Sequence, residues 1–86
     1  MRVAFTDNFH RDYVKLPADI QEKVDRQLRM LSRDPRHPSL RVKKIKGTQG
    51  MWEARVDRAY RFTFTVREEI ILLRKVGLHD RTLGRP

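Results

Sequence analysis

Met51-Trp52-Glu53-Ala54-Arg55-Val56-Asp57-Arg58-Ala59-Tyr60-Arg61-Phe62-Thr63-Phe64-Thr65-Val66 is the stretch that decides the fold. From Met51 to Val56 apolar Trp52, Ala54 and Val56 share one parity, and Met51, Glu53 and Arg55 take the other. After Asp57-Arg58-Ala59, Tyr60, Phe62, Phe64 and Val66 alternate with Arg61, Thr63 and Thr65. A period of two reads as a strand with one buried face. Two such runs about a short polar turn read as an antiparallel hairpin. Arg67-Glu68-Glu69 predicts a further turn, leading into a mainly buried strand over Ile70–Val76.

Upstream the period changes. Ile20, Val24, Leu28 and Leu31 form one stripe at helical spacing, flanked by Gln21, Glu22, Asp25, Arg26 and Arg29. That helix is expected to stop before Asp34-Pro35, since the residue ahead of a proline resists the α region. Phe9, Tyr13 and Leu16 predict an earlier helix capped by Thr6 or Asp7, and Pro17 suits the first turn of the next. So short a joint requires a helical hairpin. Arg2–Thr6 alternates as a short first strand. Leu40 and Val42 begin another, with a bulge expected at Lys44-Ile45 and a turn at Gly47-Thr48-Gln49-Gly50. The fold class is α+β: an N-terminal strand, a helical hairpin, then an antiparallel three-stranded meander, forming one sheet under the helices.

At 86 residues the chain is read as one domain, 1–86. No cysteine is present, which excludes disulfides, thiolate zinc sites and thiol nucleophiles. No apolar run approaches ~18 residues, and the N-terminus lacks a signal-peptide core, so a cytoplasmic protein without a membrane partner is expected. The net charge is +9, and it is uneven: residues 1–39 carry 8 basic against 6 acidic groups, residues 40–86 carry 12 against 5. Arginine outnumbers lysine 14 to 6. Guanidinium forks favour phosphate, so the C-terminal half is expected to face a nucleic acid, the alternatives being a basic surface with no specific partner or one that docks an acidic protein tail.

The face opposite Trp52 and Phe62 is predicted to carry Glu53, Arg55, Arg61, Thr63 and Thr65, joined by Lys44, Lys46 and Lys75 or Arg74, with His79 beyond the last strand. Such a face can bind a phosphodiester and move protons. His10 and His37 read as surface and loop residues, and three scattered histidines lack metal-ligand spacing. Gly47-x-x-Gly50 is no phosphate loop, and no serine stands in a nucleophile elbow. Acid–base chemistry without metal or cofactor, or binding alone, remains.

Leu16-Pro17, Leu31 with Asp34-Pro35, His37-Pro38-Ser39-Leu40, Lys44-Ile45-Lys46-Gly47, Trp52-Glu53-Ala54-Arg55-Val56, Tyr60-Arg61-Phe62-Thr63-Phe64 and Val76-Gly77-Leu78-His79-Asp80 together resemble the RelE/ParE superfamily of type II toxins over nearly the whole chain. The resemblance implies an acidic, DNA-binding antitoxin partner. It also implies metal-independent endonucleolytic cleavage of mRNA in the ribosomal A site, the 2′-hydroxyl attacking the adjacent phosphate. ParE-like members, the alternative, inhibit DNA gyrase without catalysis.

By the same resemblance Arg61 would stabilise the scissile phosphate, with Arg55 beside it, and His79 falls where YoeB-like and YafQ-like members place a histidine acid. Lys46 would help activate the nucleophile, and Lys43, Lys44, Arg74, Lys75 and Arg81 would contact RNA. Glu53 could act as a general base or simply pair with Arg55 or Arg61. Where several relatives end in a base-stacking Tyr or Phe, this chain has Asp80, Arg81, Thr82 and Leu83.

Overall fold

A computed structural model describes residues 1–79. The expectation for Arg81 lies outside the described residues. Strand β1 (Arg2–Phe5) leads into α1 (Asp7–Val14) and α2 (Ala18–Arg33), then a 3-10 turn (Pro38–Leu40), β2 (Lys43–Lys44), β3 (Trp52–Arg55), β4 (Tyr60–Arg67) and β5 (Ile70–Leu78). The five strands form one sheet in the order β1-β5-β4-β3-β2. Helices cover one face and leave the other open, as the alternation required.

Thr6 is the cap of α1: its hydroxyl accepts from the Phe9 N–H at 3.1 Å. The helix ends at Val14, short of the Leu16 expected from spacing, because Pro17 excludes its predecessor from the α region. Lys15 and Leu16 close instead with bonds to the carbonyls of Asp12 and Tyr13. The hairpin is tied by Tyr13 Oη donating to Asp25 Oδ1 at 2.7 Å and Gln21 Nε2 donating to the Tyr13 carbonyl at 2.9 Å. On α2, Ile20, Val24 and Leu31 are buried against Phe62, Phe64, Ile71 and Leu73 of the sheet. Phe62 and Phe64 stand with ring centroids 6.0 Å apart at 42°, a tilted contact worth about 1 kcal/mol beyond its buried area.

Three details depart from the sequence reading. First, β1 runs parallel to β5, Arg2 opposite Ile70 and Phe5 opposite Leu73, while every other pair is antiparallel. The helical hairpin that separates β1 from the meander is a crossover long enough to allow a parallel return. Second, Leu40 belongs to the 3-10 turn and β2 keeps only Lys43 and Lys44. Third, no bulge occurs at Lys44-Ile45. The register shift lies between Thr63 and Phe64, where Thr63 pairs with Lys75 and Phe64 with Leu73, leaving Arg74 without a partner position.

That bulge coincides with the end of β1. Beyond Phe5 the free edge of β5 is served by side chains of the first helix and its cap. Thr6 Oγ1 and Asn8 Nδ2 donate to the Arg74 carbonyl, and Asp12 Oδ2 accepts from the Val76 N–H at 3.2 Å. An edge that would otherwise present bare backbone is thereby closed.

Candidate functional site

Alternation and register together assemble rows on the open face. Lys43, Glu53, Thr63 and Lys75 stand opposite one another across four strands. The next row is Arg55, Arg61 and Gly77. The His79 N–H donates to the Ala59 carbonyl at 2.7 Å, which ties the residue just past the end of β5 to the β3–β4 turn. Arg55, Arg61 and His79 are thus brought to the end of the sheet at the β3–β4 turn.

The two arginines converge on one backbone atom. Arg61 Nη1 donates to the carbonyls of Asp57 and Tyr60, and Arg55 Nε donates to the same Asp57 carbonyl at 3.2 Å. Arg61 is largely sunk, its side chain 16% exposed. The terminal nitrogens of Arg55 have no hydrogen-bond partner among the described residues and are left for an anion.

Asp57 is the residue that sequence reasoning undervalued. Its Oδ1 accepts the N–H groups of Ala59 and Tyr60, both at 2.9 Å, and its Oδ2 pairs with Lys23 Nζ at 3.2 Å. Burial pushes its carboxyl up, but the Tyr60 and Ala59 N–H groups and the Lys23 ammonium outweigh burial and hold it below the ordinary value of 3.8. One residue fixes the β3–β4 turn, anchors it to α2 and aims two guanidiniums. An aspartate opening a tight turn between alternating runs was the available signal.

Glu53 and Thr63 are not solvated as the alternation suggested. They are 2% and 0% exposed, the carboxylate lying under the longer side chains of its own face. Glu53 Oε1 lies 3.6 Å from Lys43 Nζ and 3.9 Å from Arg61 Nε. Glu53 Oε2, Thr63 Oγ1 and His79 Nδ1 are buried without a hydrogen-bond partner among the described residues. A general base must come within hydrogen-bond reach of the proton that it takes. So deep a carboxylate instead holds Lys43 and Arg61, which is the pairing alternative.

The lysines divide. Lys43 lies on the site's face opposite Glu53, whereas Lys44 pairs with Trp52 on the other parity, so it does not join the row. Lys46 is exposed in the turn after β2, and no hydrogen bond or ion pair joins it to Arg61 or His79. Arg74 lines an open cleft of about 620 Å³ with Thr65, Arg67 and Leu72, further along β4 and β5, and Lys75 stands between the cleft and the arginines. His37 caps the 3-10 turn through its Nδ1, and His10 stacks on Phe5 at 6.0 Å. Among the described residues no group of three potential ligands gathers for a metal.

This two-layer fold is the one seen in RelE/YoeB-like toxins. A YoeB/ParE toxin from Agrobacterium tumefaciens is similar with a TM-score of 0.78 at 22% identity, over 92% of this chain and 99% of that one. A chain of the RelB–RelE antitoxin–toxin complex from Methanococcus jannaschii is similar at 0.77 and 21% identity, over 96% and 99%. One from the Escherichia coli DinJ–YafQ complex follows at 0.77 and 15%, over 98% and 100%. No curated protein matches the chain by sequence. Residues 11–76 match the phage-derived Gp49-like proteins (DUF891), and the chain belongs to that family.

Proposed function

We propose that this chain is the toxin of a type II toxin–antitoxin pair, acting in the cytoplasm as a metal-independent, ribosome-dependent mRNA endonuclease. The observation that carries the reading is the convergence of Arg55 and Arg61 on the Asp57 carbonyl, with the His79 backbone tied to the same β3–β4 turn. In the reaction the ribose 2′-oxygen bonds to the adjacent phosphorus and the bond to the 5′-oxygen breaks. The products are a 2′,3′-cyclic phosphate and a 5′-hydroxyl. Arg61 and the free nitrogens of Arg55 face the charge that grows on the phosphoryl oxygens.

Burial of His79 Nδ1 leaves Nε2 to meet the RNA. An imidazole can give its proton to the departing 5′-oxygen. The 2′-hydroxyl proton leaves to solvent. A fold shared with chains crystallised in RelB–RelE and DinJ–YafQ complexes supports an antitoxin as partner.

Purified protein added to a reconstituted translation system, with mRNA ends mapped by primer extension, tests this. Cuts are expected only with ribosomes present. His79→Ala should slow cleavage about 10²–10⁴-fold, the usual worth of a positioned acid. Arg61→Lys, which keeps the charge but not the fork, should cost about 10²-fold while circular dichroism stays native. Intact mRNA alongside undiminished growth arrest would overturn the nuclease reading, and a gyrase supercoiling assay would then decide for the ParE-like activity.

A further inference from the structure

The cleft of about 620 Å³ on the open sheet face lies apart from the arginine pair and has a make-up of its own. Register fixes its place. On that face of β4, Thr63 follows Arg61, then Thr65, then Arg67. Each step is about 7 Å, close to the reach of one extended nucleotide, so the Thr65 row stands about 14 Å beyond Arg61. Opposite Thr65 and Arg67 lie Leu72 and Ile70, both half-buried, and they form the floor. Beside Leu72, β1 adds only Ala4, too small to cover it. The bulge takes Arg74 out of the ladder, and it lines the cleft together with Arg67 and with Gln49 of the turn before β3.

These groups divide as the parts of a nucleotide do. Ile70 and Leu72, with Val66 at the rim, offer apolar surface to the flat of a base. The Thr65 hydroxyl and the Gln49 amide hold both donors and acceptors, and neither has a hydrogen-bond partner among the described residues. Arg67 and Arg74 form no ion pair among the described residues. A guanidinium can bond to phosphate or lie flat on a base. Glu68, in the adjoining turn, is the one acid of the lining. Cations run along the whole face, from Arg55 and Arg61 through Lys43 and Lys75 to Arg74 and Arg67, and join the cleft to the arginine pair.

Protein ligands fit less well. A peptide strand adds to the edge of a sheet, where backbone groups are unpaired, and not to its face. An amphipathic helix lays apolar anchors from i to i+7, about 10 Å, into a groove, whereas the apolar side chains here are confined to two rows about 7 Å apart.

With the sheet face read as an RNA site, on which this rests, we infer that the cleft is a base-reading subsite for single-stranded RNA. It takes one nucleotide, two positions along the strand from the phosphate held by Arg61. The base lies on Ile70 and Leu72 with its edge toward Thr65 and Gln49.

The test is fluorescence anisotropy with labelled RNA hexamers whose riboses are all 2′-O-methylated, so that none can be cleaved. One hexamer carries each of the four bases, and a further one of equal charge carries none. The unaltered chain should bind its preferred hexamer at least about fivefold more tightly than the baseless one, the lower worth of one stacked base. Gln49→Ala/Thr65→Val should flatten the ranking of the bases to within about twofold and leave the baseless affinity as it was. Arg67→Gln/Arg74→Gln should weaken every hexamer and lower the slope of log K against log salt by about 1.4, near 0.7 per lost contact on a single strand. Equal binding with and without bases would overturn the proposal, as would a ranking that survives Gln49→Ala/Thr65→Val. A chain that ignores every hexamer overturns it too, and binding of poly-glutamate through Arg67 and Arg74 instead would assign the cleft to an acidic protein. Because these hexamers cannot be cut, an absence of mRNA cleavage in the translation system would count against the nuclease and leave the subsite standing.

Discussion

Asp57 shows how much one carboxylate can organise. Because its hydrogen bonds hold the folded group below 3.8, the folded protein binds that proton less readily than the unfolded chain. The stability it contributes is present above the ordinary value and is lost as pH falls through the lower, folded one. Asp57→Asn should cost about 1 kcal/mol at neutral pH, a Tm lower by about 5 °C, with the gap from the unaltered chain closing below pH 3.8. Thermal melts from neutral to acid pH check this, and a gap that stays constant would remove the carboxylate from the account. Arg55 and Arg61 could be read from alternation, since parity alone places them on one face. Glu53 could not. Alternation tells which side of a sheet a residue takes, not whether its neighbours' longer side chains will bury it, and here they leave it 2% exposed.

Among elements, the β4–β5 hairpin carries an evident tension. Its two turn residues, Glu68 and Glu69, have φ of 52° and 65°, both in the left-handed region. A two-residue turn of this kind favours Asn-Gly, and a residue with a β-carbon pays about 1 kcal/mol there. Adjacent like charges add to the cost. Replacing the pair by Asn-Gly should raise Tm by about 5 °C. A fall instead would mean that the glutamates are held by contacts worth more than the strain. The turn was legible as a turn, but its two-residue length was not, because Arg67 continues the strand's pairing. The parallel entry of β1 was equally hidden. Four residues of alternation do not encode a direction, which follows only once the helices have turned the chain. The bulge was misplaced for a related reason: it is set by where β1 stops and the side chains of Thr6, Asn8 and Asp12 take over the edge of β5.

At the scale of the molecule, two layers give two independent exteriors, and charge averaged along the chain describes neither. Of the C-terminal excess, Arg55, Arg61, Arg74 and Lys75 lie on the open sheet face. The near-neutral first half ties Asp25 to Tyr13 and Asp12 to Val76, and leaves Asp19 and Glu22 as exposed on α2 as Arg26, Arg29 and Arg33. A sum over residues cannot register which groups are tied into the fold and which face outward.

The pairing of Arg2 with Ile70 carries a temporal meaning. The first strand made at the ribosome has no seat until the last strand is finished, and that last strand also supplies Arg74 and Lys75 and leads to His79. Contacts so distant along the chain form late. A chain stopped at Glu69 should therefore show neither a cooperative melt nor native near-ultraviolet dichroism, though its helices can flicker. A native-like melt would contradict this dependence. The arrangement works as a delay written into the topology: while the protein is being translated, its basic sheet face is not yet assembled.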